Sequence, residues 1–129
     1  MAAVSVITPA WNAAAYIGET IASVRAQTFQ DWEWLIVDDG SDDATPAMIA
    51  AEAARDSRIR LLRQSNAGPS AARNRAMQDA RGAWFTFLDS DDVWQPGFLA
   101  AQLRVFDAHP DTAARPGSRA ARRHRCRET

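Results

Sequence analysis

Lysine is missing from this chain of 129 residues, and every basic side chain outside histidine is arginine. A P-loop, whose lysine reaches the outer phosphates of a nucleotide, is therefore excluded. Cysteine is almost missing too. Cys126 stands alone, which rules out an internal disulfide and a cysteine-based metal site and leaves an incidental thiol near the C-terminus. Glycine is sparse, and no G-x-G-x-x-G follows the first apolar run, so the usual dinucleotide cradle is absent as well. Apolar runs stop at five or six residues, too short to span a bilayer. The N-terminus lacks the basic start and long apolar stretch of a signal peptide, and the chain reads as soluble and cytoplasmic, with peripheral association at the inner face of a membrane as the alternative.

The net charge of −1 conceals an asymmetry. Residues 1–114 carry 9 Arg against 15 Asp and Glu, net −6, whereas residues 115–129 carry 6 Arg against Glu128, net +5. An arginine-rich end without aromatic partners reads as a solvated, unstructured tail, and no nucleic-acid partner is expected. His109 and His124 are too far apart and too poorly accompanied to propose as a metal pair.

What is present is one domain's worth of alternating elements, in a chain of 14.2 kDa that is 47% hydrophobic. Val4–Thr8 is a β-branched run that should stop at Pro9. Ile17, Ile21 and Val24 fall at helical spacing and predict a helix over 14–27. Trp34–Val37 reads as a buried second strand. Thr45 before Pro46 predicts a capped helix over 46–55. The alternation in Ile59–Arg63 places a third strand near a sheet edge, and Ser70 should cap a helix over 71–80. Trp84–Leu88 reads as a strand buried on both faces. Phe98, Leu99, Leu103 and Phe106 predict a last helix from Pro96 to about His109. Strands separated by helices imply parallel pairing through right-handed crossovers, hence an α/β three-layer sandwich with a mostly parallel sheet.

Two strands run straight into acid, at Asp38-Asp39-Gly40-Ser41-Asp42-Asp43 and at Asp89-Ser90-Asp91-Asp92. Either cluster alone can be an acidic turn capping the next helix. Both at the carboxyl edge of one sheet, where α/β proteins take their ligands, favour a site. Asp89 and Asp91, two apart on an extended segment, point the same way, and their like charges become tolerable around a divalent cation. Acidic strand ends can also accept hydrogen bonds from ribose hydroxyls or a base N–H, so a metal-bound nucleoside diphosphate fits both clusters. Other readings remain for several positions. Asn12 can be a turn residue, Asp43 a helix cap and Asn74 a buried hydrogen bonder, and Arg73 can face a pyrophosphate or merely answer the acids. Trp34 and Trp84 read as core, Trp11 and Trp32 need no ligand, and Trp94 beside the acids can shape a sugar pocket.

Five linked stretches, Val4–Asn12, Ser23–Phe29, Trp34–Asp43, Asn66–Asn74 and Phe87–Asp92, resemble in order and spacing the nucleotide-binding half of the family 2 glycosyltransferases of GT-A fold. The resemblance covers about residues 3–110. It implies a Rossmann-like half that binds a nucleotide-sugar donor, usually a UDP-sugar, with Mg²⁺ or Mn²⁺, and transfers the sugar with inversion to a carbohydrate or lipid-linked acceptor, as in cell-wall or polysaccharide synthesis. Thr8, Pro9, Asn12 and Asp39 would line the nucleoside pocket with Asp38 in support, and Arg73 would face the pyrophosphate. Asp89-Ser90-Asp91 corresponds to the family's D-x-D, with Asp91 or Asp92 as the metal contact and Asp89 beside them.

The general base of such enzymes lies on an acceptor-side segment downstream of the D-x-D, and after Asp111 the sequence offers Glu128 alone. The expectation is a donor-binding domain over 1–112 and a tail over 113–129, a truncation that by itself transfers no sugar, with an exposed sheet edge and poor solubility. Two rivals are a non-catalytic nucleotide-binding or interaction module and a receiver-type signalling domain. The second needs a lysine near its last strand. A nucleotidyltransferase would want a glycine-rich basic loop where Ala13-Ala14-Ala15 stands.

Overall fold

The computed structural model describes residues 2–108; His109 and the expected tail over 113–129, which includes His124, Cys126 and Glu128, lie outside the described residues. Eight elements alternate: β1 (Val4–Ala10), α1 (Ile17–Arg25), β2 (Trp32–Asp39), α2 (Thr45–Arg55), β3 (Ile59–Gln64), α3 (Pro69–Asp79), β4 (Trp84–Phe87) and α4 (Phe98–Ala108). All strand pairs are parallel, in the order β3-β2-β1-β4. The alternation and parallel pairing expected from sequence are found, and β3 lies at an edge.

Side-chain alternation explains the layers. Val4, Val6, Trp34 and Ile36 pack with Ile17, Ile21 and Val24 of α1, Ile49 of α2 and Leu99 of α4. Ile7, Leu35, Val37, Phe85 and Phe87 face the other way onto Ala72 and Ala76 of α3. Helices thus cover both faces of one sheet, the doubly wound arrangement. The chain winds outward from β1 through β2 to β3, then returns through α3 to β4 on the far side of β1. That reversal puts a switch point between β1 and β4.

Several boundaries differ from the sequence expectation, each for a local reason. β1 continues through Pro9 to Ala10. The Ile7 carbonyl accepts from Leu88 N–H, so the side of Pro9 that lacks an N–H faces beyond the end of β4, whose ladder stops at Ile7 opposite Phe87. α1 starts at Ile17 because residues 12–14 are engaged with the segment after β2, described below. The cap of α2 is Ala44, not Thr45, whose hydroxyl is turned to other partners. The cap of α3 is Gly68 at φ +99°, with Pro69 in the first turn, which leaves Ser70 inside the helix. β4, read from sequence as buried on both faces, is the other edge among the described strands; its Trp84 stacks on Phe106 of α4 at 5.0 Å between centroids.

Candidate functional site

A cavity of about 360 Å³ opens across the carboxyl ends of β1, β2 and β4. Its walls come from the β1 loop (Pro9 to Ala13, and Tyr16), Asp39, the start of α3 (Pro69 and Arg73) and the β4 turn (Asp89 to Asp91).

The β1 and β2 loops are laced by backbone-to-side-chain hydrogen bonds. Asn12 N–H donates to Ser41 Oγ at 2.9 Å, and Asp42 N–H returns the bond to Asn12 Oδ1 at 2.9 Å. Ala13 N–H donates to Thr45 Oγ1 at 2.8 Å and Ala14 N–H to Asp43 Oδ2 at 3.2 Å. Asn12 takes φ +48°, a conformation that asparagine tolerates better than other non-glycine residues. The Asp43 carboxyl also accepts from the Thr45 hydroxyl and backbone N–H, and these bonds, the hydroxyl first, hold it below the usual carboxylate range.

Asp39 is 3% exposed, and its carboxylate is gripped by the segment leading into α3. Oδ1 accepts from Gln64 Nε2 and Ala67 N–H, both at 2.8 Å, and Oδ2 from Gly68 N–H at 2.9 Å, with Asn66 Nδ2 at 3.5 Å. Burial pushes this carboxyl upward, but the donors from Gln64, Ala67 and Gly68 together outweigh it and leave it below its ordinary value. It is an anion at neutral pH.

At β4 the turn brings Asp89, Asp91 and Asp92 together, with one oxygen of each lying within 4.8 Å of the others. Like charges at about 5 Å repel by roughly 1 kcal/mol per pair in water-like surroundings and by more when partly buried. Arg73 of α3 reaches Asp89 at 3.5 Å. Three carboxylate oxygens gathered this closely could hold a metal ion.

Of the residues singled out in the sequence, Pro9, Asn12, Asp39, Arg73, Asp89, Ser90 and Asp91 line this cavity. Thr8, Asp38 and Asp92 do not. The Thr8 hydroxyl is buried and accepts from the Trp34 indole N–H at 2.8 Å. Asp38 accepts from Ser41 N–H at 3.3 Å and faces the Arg63 guanidinium at 3.9 Å; its other oxygen is buried without a partner. Asp92 is 6% exposed and joins the acidic group from beneath. Two readings are corrected. Trp94 is 4% exposed and stacks on Phe98 in the core, so it shapes no pocket, and Asn74 is exposed, not buried. The cavity wall instead carries Trp11, read from sequence as needing no ligand, and Tyr16, which the sequence did not single out; they are 55% and 54% exposed. Their signal was available: large aromatic side chains in the loop after β1 with no apolar period of their own.

A parallel sheet with a cavity at its switch point, carrying Asp39, Arg73, Asp89 and Asp91 on its wall, defines the class of doubly wound α/β proteins that take ligands at the carboxyl ends of their strands. The particular family follows from comparison with known proteins. The chain belongs to glycosyl transferase family 2, whose sequence model matches residues 5–125, and its sheet is that of the GT-A fold. It is 43% identical over 103 residues to the Escherichia coli UDP-Glc:alpha-D-GlcNAc-diphosphoundecaprenol beta-1,3-glucosyltransferase WfgD, a match covering 79% of this chain and 40% of that protein. Residues 1–349 of S. aureus TarS, solved in complex with UDP-GlcNAc, superpose with a TM-score of 0.77 at 32% identity, covering 85% of this chain and 32% of that one. The Pyrobaculum calidifontis mannosyltransferase PcManGT, solved with GDP-Man and Mn²⁺, gives 0.76 at 26% identity, covering 81% and 32%. The chain therefore spans well under half the length of these relatives. Among the described residues no helix is long and apolar enough to cross a membrane.

Proposed function

We infer that this chain binds the nucleotide-sugar donor of a metal-dependent glycosyltransferase that inverts the anomeric centre, with a UDP-sugar as the favoured donor. One observation carries the reading: Asp39, Arg73 and the turn Asp89–Asp91, from three segments far apart in sequence, face one cavity at the switch point. The Asp39 carboxylate, an anion in the cavity wall, is suited to attract a base N–H, with Pro9, Trp11 and Asn12 as the rest of the nucleoside wall. Thr8 and Asp38 act behind that wall, supporting β1 and the β2 turn. Asp89, Asp91 and Asp92 would hold Mg²⁺ or Mn²⁺, which when bound offsets charge on the leaving diphosphate. Arg73 stands beside that position and supplies a fixed positive charge for the same oxygens. The S. aureus and P. calidifontis complexes support both donor and metal by likeness.

Among the described residues, the carboxylates lining the cavity are Asp39, Asp89 and Asp91, all assigned to the donor side. A general base must lie within hydrogen-bond reach of the acceptor hydroxyl, so these residues by themselves bind donor and transfer no sugar. This favours donor binding as the part played by the described residues. The acceptor is a carbohydrate or lipid-linked sugar of a surface polysaccharide, met on the cytoplasmic side of a membrane; the name of WfgD, with its diphosphoundecaprenol acceptor, supports the lipid-linked sugar. Calorimetric titration with UDP tests the core of the reading. Heat should appear with Mn²⁺, fall sharply without it, and vanish for Asp91→Asn. A wild-type chain silent to UDP in the presence of Mn²⁺ overturns it.

A further inference from the structure

We propose that Thr20, on the buried face of α1, is the positioning residue that holds the acidic turn 89–92 in the shape in which its carboxylates can share one cation; this rests on the metal-dependent reading given above. Residues 88–97, between β4 and α4, form neither helix nor strand, so their backbone polar groups need partners elsewhere. α1 and the residues just beyond it provide many of them. The Thr20 hydroxyl, fully buried, lies 2.7 Å from the Asp92 carbonyl oxygen and 3.0 Å from that of Ser90, and donates its single O–H between them. Ser23 Oγ accepts from Trp94 N–H at 3.2 Å while donating to the Thr20 carbonyl at 2.8 Å. Gln27 donates to the Gln95 carbonyl at 2.7 Å and accepts from Leu99 N–H at 2.9 Å. Thr20 and Ser23 lie one turn apart on α1 and Gln27 follows just past its end, and together they meet the chain at Ser90, Asp92, Trp94, Gln95 and Leu99.

Thr20 differs from the other two because its contacts fall inside the turn. Ser90 and Asp92 alternate with the acidic positions Asp89 and Asp91, so fixing their carbonyls fixes the backbone from which the carboxylates project. Those carboxylates repel one another and, without a tether, would spread the turn. Arg73 meets Asp89 from α3 at 3.5 Å. A neutral hydroxyl holds the turn from below without cancelling the charge that attracts a cation. Ser23 and Gln27 act further along, at Trp94, Gln95 and Leu99, and set where the segment leaves the site.

The test compares Thr20→Val, close in shape but without the hydroxyl, with Thr20→Ser, which keeps it, in the full chain. Free Mn²⁺ is counted by electron paramagnetic resonance in the presence of UDP, and hydrogen exchange is followed for peptides covering 88–95 and β1–β2 without metal. Thr20→Val is expected to weaken Mn²⁺ binding about tenfold and to speed exchange in 88–95 while β1 and β2 stay protected. Thr20→Ser should restore both to within about twofold of wild type. If the valine variant does not fold, Thr20→Ala takes its place. Wild-type Mn²⁺ affinity in the hydroxyl-free variant, or exchange raised evenly over the chain, overturns the positioning role while leaving the donor-site reading intact. A wild-type chain that takes up no Mn²⁺ overturns both.

Discussion

The Asp39 carboxylate accepts the backbone N–H of Gly68 at 2.9 Å, tying the end of β2 to the residue that caps α3. The bond fixes where α3 begins, and through it where Pro69 and Arg73 enter the cavity. Asp39 is therefore both a cavity wall and the anchor of a second wall.

Asp39→Ala should consequently cost stability as well as binding. It leaves Gln64 Nε2 and the N–H groups of Ala67 and Gly68 without their acceptor, and unmet partly buried donors cost about 1–3 kcal/mol together. Urea denaturation is expected to show that loss, and calorimetry a fall in UDP affinity of at least tenfold. The wild-type pH dependence has a definite sign. The folded carboxyl titrates below its unfolded value of 3.8, so its contribution is present above that pH and is lost as pH falls through the folded value. Asp39→Ala should flatten this acid-side decline.

Two glycines give opposite expectations for the same substitution. Gly40 sits at φ +77°, and an added Cβ would lie 2.8 Å from Asn66 N, a backbone atom of the segment that grips Asp39. Gly40→Ala should destabilise by about 1–3 kcal/mol, a fall in Tm of roughly 5–10 °C for a domain of this size. Gly18 lies in α1 with nothing within 4 Å of its would-be Cβ. Gly18→Ala should instead raise stability by ~0.5–1 kcal/mol, since alanine is the better helix former. Thermal melts of the pair check both signs.

The sequence made the sheet readable because its strands are apolar runs that punctuate themselves: Val4–Thr8, Trp34–Val37, Ile59–Arg63 and Trp84–Leu88 each overlap an observed strand. The acidic ends of β2 and β4 were equally plain, since carboxylates abutting a buried run have few bland explanations. Where helices begin was not readable. Thr45 and Ser70 have good capping chemistry, yet one hydroxyl is spent on Ala13 N–H and Asp43, and the other is displaced by the positive-φ Gly68 ahead of Pro69. Tertiary partners, invisible in a linear pattern, won both contests. The placing of Trp94 and of Trp11 was hidden for the same reason. Nearness to the acidic motif did not disclose that Trp94 turns inward onto Phe98 while Trp11 stands at the cavity wall.

At the opposite end of the sheet, Asp56 carries a pH dependence separable from the site. Its carboxyl is pulled down to about 2 from 3.8, by the Arg58 side chain above all, against the cost of burial, with further help from Arg58 N–H and Arg25. Arg58 also lies 3.7 Å over the Trp32 ring, so the ion pair and the ring stack on one another. A depressed carboxyl stabilises above its unfolded value and loses that contribution as pH drops, here between about 4 and 2. Allowing for screening at these partly exposed arginines, the contribution is on the order of 1–2 kcal/mol. Asp56→Asn should lower denaturant stability by that amount at pH 7 and by little at pH 2, without changing UDP affinity.

Trp11 separates binding from folding most cleanly. It is 55% exposed and takes no place in either core cluster, yet it stands in the cavity wall with Asn12 and Asp39. A large aromatic face left open to water beside hydrogen-bonding groups is suited to a flat heteroaromatic ring, and stacking of a base on such a side chain contributes ~1–3 kcal/mol. Trp11→Ala should therefore weaken UDP binding by about tenfold to a hundredfold while the melting temperature moves by no more than a degree or two. Trp11→Tyr, which keeps an aromatic face, should recover most of the affinity. Titrating both variants with UDP and with inorganic pyrophosphate distinguishes a base contact from a general loosening of the site. Pyrophosphate affinity in the presence of Mn²⁺ should be untouched, because its predicted contacts, Arg73 and the turn at Asp89, lie on α3 and after β4 and not on the loop that carries Trp11.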